Sequence, residues 1–260
     1  MKIGFFDSGI GGLSVLHHAM KILPQEEFIF FADEDNVPYG TKSPEEVLRF
    51  VDEAFKFLIA QKVSAIVVAC NTATSVAVKI MREKYSLPII GMEPALKVAL
   101  DLFPNRKVLV AATAITITGE KIHQLIKNLH AENFAELKAL SKLVEFAERQ
   151  EFNSAAVEKY LRNELADYDW KNFSSLVLGC THFNYFKDTL RKILPPHVKI
   201  LDGNAGTVNE LIRRTNLKPT LTTNHQSLTT YYSARKVDNA AELARLEKFL
   251  QRLDKMEAIK

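Results

Sequence analysis

Cysteine is scarce in this sequence: 260 residues hold only Cys70 and Cys180, without CxxC spacing. Two such cysteines exclude a disulfide framework, and two Cys with one His lacking close ligand spacing match no common zinc pattern. No apolar run approaches the length of a membrane span, and the start, Met1-Lys2-Ile3-Gly4-Phe5-Phe6-Asp7, reaches an acid too soon for a signal-peptide core. A cytoplasmic protein with free thiols and no membrane contact is therefore expected. Charge is nearly balanced, with 34 Lys and Arg against 31 Asp and Glu, and no basic run is dense enough for a nucleic-acid groove. Linkers rich in Pro, Gly or Ser are missing too, as are low-complexity segments.

What is present is the composition of an ordinary globular chain, 47% hydrophobic and 25% charged. It is long enough for one large α/β domain or two small ones. Apolar runs predict strands over 2–6, 27–32, 65–69, 88–91, 107–111, 198–201 and from Ser175. Between them, helical periodicity covers 13–23, 45–60, 73–85, 93–102, 119–129, 141–149, 153–166 and 184–194. Ser43 and Pro44 read as the cap and first turn of the second helix. Residues 132–140 fit strand or helix, 202–206 read as a turn, and a helix is expected over 207–214. Residues 220–232 read as strand or loop, and 239–253 form a terminal amphipathic helix expected to pack back on the first half. Alternating strands and helices imply α/β architecture: two similar domains, each a mainly parallel sheet flanked by helices, with the site in the cleft between them. The expected division is 1–97 with 207–260 for the first domain and 98–206 for the second.

Both cysteines occupy the same local unit. In Ile66-Val67-Val68-Ala69-Cys70-Asn71-Thr72 and in Leu176-Val177-Leu178-Gly179-Cys180-Thr181-His182 an apolar strand ends at a thiol, hydroxyl residues follow, and a helix begins. Reactive atoms are thereby presented at the carboxyl ends of strands. A free cysteine at a strand end is also a common buried hydrophobe, but the duplicated context favours chemistry. A nucleophilic cysteine enzyme would need a base, and His182 is nearest in sequence to a thiol. Neighbours two apart after a strand rarely face each other, so His182 is expected to serve Cys70 or a substrate instead. Two thiols acting as acid and base on opposite faces of one carbon explain both residues together, with Asp7, Glu148 and His182 as ionisable helpers. The Asp7-Ser8-Gly9-Ile10-Gly11-Gly12 stretch suggests a tight turn or a phosphate cradle. It lacks the Lys-Ser/Thr ending of a Walker loop, and Asp7 suits an ammonium better than a phosphate.

Four blocks, Asp7-Ser8-Gly9 with Gly11-Gly12-Leu13, Pro38-Tyr39-Gly40, Cys70-Asn71-Thr72 and Gly179-Cys180-Thr181-His182, resemble the glutamate racemases in family order. The resemblance covers about the first 207 residues and weakens in the tail. It implies a cofactor-independent, metal-free interconversion of L- and D-glutamate that supplies D-glutamate for peptidoglycan, in a protein that is a homodimer. It further implies Cys70 and Cys180 as the proton donor and acceptor, with Cys70 serving the D-isomer and Cys180 the L-isomer. Asp7, Ser8, Tyr39, Gly40, Asn71, Thr72, Thr181 and His182 would line the substrate site, Thr113 and Thr116 match a hydroxyl pair, and Glu148 aligns with a helper acid. The chain departs from the pattern over 139–148, which lacks the usual Cys-Pro and second Pro, and at Phe183-Asn184-Tyr185, where an aromatic, Pro and Leu are common. An aspartate racemase shares the two-thiol chemistry with a shallower pocket, and a non-catalytic binder of small acidic ligands would use the same turns without needing the thiols.

Overall fold

The computed structural model describes residues 1–220 and 227–259. Its first stretch runs β1 (Lys2–Asp7), α1 (Leu13–Ile22), β2 (Glu27–Ala32), α2 (Pro44–Ala60), β3 (Ala65–Val68), α3 (Asn71–Lys84), β4 (Ile89–Gly91) and α4 (Leu96–Leu102). There follow β5 (Lys107–Ala112), α5 (Ala114–Thr118), α6 (Glu120–Asn128), β6 (Ala135–Ala139), α7 (Lys142–Glu148), α8 (Ala155–Glu164), β7 (Phe173–Leu178), α9 (Lys187–Ile193) and β8 (Lys199–Asp202). The tail adds α10 (Asn204–Thr215), β9 (Ser227–Tyr232), β10 (Arg235–Lys236) and α11 (Ala240–Glu257).

Two sheets result, ordered β10-β9-β2-β1-β3-β4 and β6-β5-β7-β8. Every pairing is parallel except β9 with β10. Parallel strands need both faces covered, and the alternation of side chains shows how: Phe5 and Val67 face one apolar cluster, Phe6, Ile66 and Val68 another. The first cluster continues into the second sheet through Leu109, Ala111, Leu176 and Leu178, so one core joins the two sheets. Phe5 meets Phe28 edge to face within it at 5.8 Å. Emptying such a position, as in Phe5→Ala, costs about 3–5 kcal/mol.

Local chemistry sets the element ends. Ser43 and Glu46 form a reciprocal capping box with Pro44 in the first turn of α2, as expected. The helix expected over 93–102 starts only at Leu96, because Pro94 lacks an N–H and holds Glu93 extended. Within 132–140, residues 135–139 form strand β6 after a turn, and the short helix α5 follows Thr113. The turn expected over 202–206 is instead the start of α10, where Asp202 accepts the Asn204 N–H at 2.9 Å. Of the segment 220–232, residues 227–232 form β9 beside β2, and 221–226 lie outside the described residues. The terminal helix packs on α1, as expected, but equally on the 3-10 turn Thr181–Phe186 of the second half. Its Asp254 carboxylate accepts from His17 Nε2 at 2.9 Å, while Arg252 donates to Asp188 and to the Tyr185 carbonyl. No described helix is long and apolar enough to cross a membrane.

Candidate active site

Both sheets repeat one pattern. In β2-β1-β3-β4 and in β6-β5-β7-β8 the strand order reverses direction beside the first strand of the unit, which opens a crevice at the carboxyl ends of the two central strands. Asp7 and Ser8 follow β1 and Cys70 follows β3; Thr113 follows β5 and Cys180 follows β7. The two crevices meet in a small cavity of about 10 Å³, with Cys70 and Cys180 both in its wall.

Cys70 caps α3: its sulfur accepts the Ala73 N–H at 3.4 Å, and its S–H reaches the Ser8 hydroxyl at 3.6 Å. Burial, followed by the neighbouring Asp7 charge, pushes this thiol well above its ordinary pKa. Asp7 is wholly buried behind it, and desolvation raises its carboxyl to about 6, against the opposing pull of His182 and the Gly12 N–H. One carboxylate oxygen accepts the Gly12 N–H at 2.6 Å and the Thr181 hydroxyl at 3.4 Å; the other has no hydrogen-bond partner among the described residues.

Cys180 has different company. His182 Nδ1 lies 3.8 Å from its sulfur, and His182 Nε2 lies 2.7 Å from Glu148. Sequence spacing places His182 away from Cys180; the 3-10 turn beginning at Thr181 curls the chain tightly enough to bring the pair together. Burial penalises the imidazolium, but hydrogen bonds to Cys180 and Glu148 outweigh it, so the His182 pKa stands well above its ordinary value. Glu148 also accepts the Ile10 N–H at 3.1 Å and meets Arg245 at 3.3 Å. The glycines of the Asp7–Gly12 loop exist for close approach: a β-carbon on Gly9 would collide with the Glu148 carboxylate and one on Gly11 with the His182 ring.

Of the residues singled out in the sequence, Ser8, Tyr39, Gly40, Asn71, Thr72, Thr113, Thr181 and His182 share the cavity wall with the thiols. Both polar atoms of the buried Asn71 amide lack partners among the described residues, which leaves a donor and an acceptor for a ligand. Thr72, Thr113 and Thr116 hydrogen-bond in a triangle of 2.9, 3.2 and 2.9 Å. Thr116 faces the adjoining cavity rather than this one. Asp7 and Glu148 stand behind the wall, and the Tyr39 hydroxyl donates to Asp33 at 2.6 Å rather than pointing inward. Sequence reasoning missed Pro38 and Val144 as wall residues and Arg245 and Glu34 behind them. The Pro38-Tyr39-Gly40 motif contained one of these; nothing local in the sequence distinguishes Arg245. Among the described residues, no group of three or more His, Cys, Asp or Glu side chains could hold a metal ion.

Residues 14–211 match the family model described as Asp/Glu/Hydantoin racemase. Glutamate racemase of Campylobacter curvus is 51% identical to the chain over 268 aligned residues, covering 100% of both. Among solved structures, glutamate racemase from Campylobacter jejuni superposes with a TM-score of 0.82 at 25% identity, covering 96% of this chain and 98% of that one. Glutamate racemase from Francisella tularensis in complex with D-glutamate gives 0.78 at 32%, covering 96% and 93%. Full-length identity at this level, a matching family model and close superposition on solved glutamate racemases lead to one conclusion: the chain belongs to the Asp/Glu/hydantoin racemase family, among its glutamate racemases, and is an isomerase.

Proposed function

We propose that the chain interconverts L- and D-glutamate by moving the Cα proton between two thiols, with no cofactor. The observation that carries this reading is a single cavity walled by both Cys70 and Cys180, each delivered by a different sheet. The Francisella relative was solved with D-glutamate, which supports the same substrate here.

Racemisation needs a base on one face of Cα and an acid on the other. In one direction the Cys180 sulfur, as thiolate beside the His182 imidazolium, takes the Cα proton. The Cys70 S–H then gives its proton to the opposite face, so that one C–H and one S–H bond break while one of each forms. The reverse direction exchanges the roles. Family resemblance gives Cys180 the L-isomer and Cys70 the D-isomer. Charge developing at Cα spreads into the α-carboxylate, which the Asn71 amide and the Ser8, Thr72 and Thr181 hydroxyls stabilise. Tyr39, Gly40 and Thr113 shape the wall, with Thr116 behind Thr113. Asp7, its carboxyl raised to about 6, exchanges the proton of Cys70; Glu148 acts on Cys180 through His182. The reading extends to a cytoplasmic homodimer whose protomers divide into 1–97 with 207–260 and 98–206, and whose D-glutamate enters peptidoglycan.

Cys70→Ser and Cys180→Ser, followed by circular dichroism from either isomer, should each lower turnover about 10³-fold. Free racemisation by both variants would overturn the two-thiol mechanism. Faster loss of ellipticity with aspartate than with glutamate would overturn the substrate.

A further inference from the structure

The terminal helix α11 brings one charged side chain to the back of the site. Arg245 donates to both oxygens of Glu34, at 2.6 and 2.7 Å, and to Glu148 at 3.3 Å. Its guanidinium lies over the rings of Tyr232 and Phe249, at 5.3 and 5.4 Å, so packing as well as charge fixes it. From there a continuous path runs through Glu148 and His182 Nε2, 2.7 Å apart, to the Cys180 sulfur 3.8 Å from His182 Nδ1. Cys70 instead makes polar contacts with Ser8 and Ala73, and the charge that acts on it most strongly is that of Asp7.

We propose that Arg245 is a positioning residue for Cys180: it anchors Glu148, which holds the imidazole against the sulfur, so that the terminal helix governs one of the two proton transfers and leaves the other alone. The inference rests on the two-thiol reading above. Glu148 forks between two cations, His182 and Arg245, and Glu34 takes the remaining face of the guanidinium. Without Arg245 the carboxylate could swing toward solvent, and the imidazole would lose the partner that selects its orientation. The charged and titratable groups around this path are Glu34, Glu242, Tyr185, Tyr232, His182 and Asp7. Arg245 is the cation facing the carboxylate from the terminal helix, and removing it withdraws a positive charge from beside Glu34 and Glu148.

Because the two enantiomers have equal free energy, kcat/KM must fall equally in both directions, and asymmetry has to be sought in isotope effects. With α-deuterated substrates, Arg245→Gln should raise the primary isotope effect on the isomer that Cys180 deprotonates and lower it on the other. The cause is that the Cys180 transfer becomes more rate-limiting. Turnover should fall about 10-fold, the loss of one charge-assisted hydrogen bond, and the acid limb of the pH profile should move up by about one pH unit. Arg245→Lys keeps the charge and should restore the limb. Arg252→Gln, which loosens the same helix at Asp188 and the Tyr185 carbonyl, should lower stability without moving isotope effects or limb. An Arg245→Gln enzyme with parallel isotope effects and an unmoved limb would overturn the proposal, whether its turnover is normal or reduced. If the thiol variants are inactive while Arg245→Gln behaves so, the relay alone falls; if the thiol variants racemise freely, the reading beneath it falls as well.

Discussion

The two thiols sit on matching units of matching sheets, yet their surroundings have opposite electrostatic character. Cys70 lies at the amino end of a 14-residue helix with a carboxyl at its back. Cys180 begins a short 3-10 turn and lies beside an imidazole that is itself tied to a carboxylate and an arginine. The first arrangement favours a thiol that keeps its proton, because burial and Asp7 both oppose the thiolate. The second sets beside the sulfur an imidazole whose own pKa is held well above its ordinary value, a positive neighbour that the first thiol lacks. Duplicated backbone therefore does not imply duplicated chemistry: a reaction that needs an acid and a base at once is served better by two unequal sites than by two equal ones.

The sharpest way to break this comparison is to remove the helper on each side. His182→Asn leaves Cys180 without its cation and should lower kcat about 10³-fold, and Asp7→Asn should lower it about 10²-fold, because the Cys70 helper acts on a thiol already capped by a helix amide. Steady-state circular dichroism from both isomers measures this. Equal losses would mean that the two sides contribute alike and that the asymmetry in hydrogen bonding has no kinetic counterpart.

How much of this was legible in the sequence follows from the range of the forces involved. The α/β alternation, the positions of Cys70 and Cys180 at strand ends and the Ser43 cap depend on neighbours a few residues away, and periodicity and capping chemistry reveal them. Residues 202–206 read as a turn because Asp-Gly-Asn is turn chemistry in isolation, while here the Asp202 carboxylate accepts the N–H of Asn204, the first residue of the next helix. The contact of His182 with Cys180 depends on a 3-10 turn rather than an α-helical one, a distinction that a three-residue motif does not encode. Arg245 meets Glu148 across 97 residues of chain, and the periodicity of an amphipathic helix says which side is polar without saying what that side touches. The glycines were legible as special but not for the reason found: Gly9 and Gly11 make room for Glu148 and His182, two side chains of the other half.

A second, smaller effect separates stability from activity on the Cys70 side. Asp7 is protonated more readily in the folded chain, with a pKa of about 6, than in the unfolded one, near 3.8. Folding therefore binds a proton between these values. The contribution is fully present below the unfolded pKa and is lost as pH rises through the folded one. Asp7→Asn removes the ionisation, so at about pH 8 the variant should be more stable than the parent by about 3 kcal/mol, a gain that shrinks toward zero near pH 4. Urea unfolding at the two pH values tests it. A variant less stable than the parent at both would mean that the hydrogen bonds from Gly12 and Thr181 matter more than the buried charge. The same substitution should thus stabilise the fold and slow the enzyme, the trade expected where an active site holds an unfavourable ion.

The smallest expected effect concerns the hydroxyls that tie the two sides together. Thr181 of the second half donates to Asp7 of the first, and across the cavity Thr72 of the first half bonds to Thr113 and Thr116 of the second. These are among the polar stitches between unequal halves, and of the three hydroxyls in the triangle Thr116 is the one set back from the wall. Thr116→Ala removes two hydrogen bonds whose partners still have each other, so the cost should be about 1 kcal/mol of stability, with KM rising less than about 3-fold and the pH profile unmoved. Thr72→Ala, by contrast, removes a hydroxyl that faces the substrate and should raise KM several times more. If Thr116→Ala raises KM as far as Thr72→Ala does, the triangle acts as a unit on the substrate, and the halves are coupled more tightly than their separate surroundings imply.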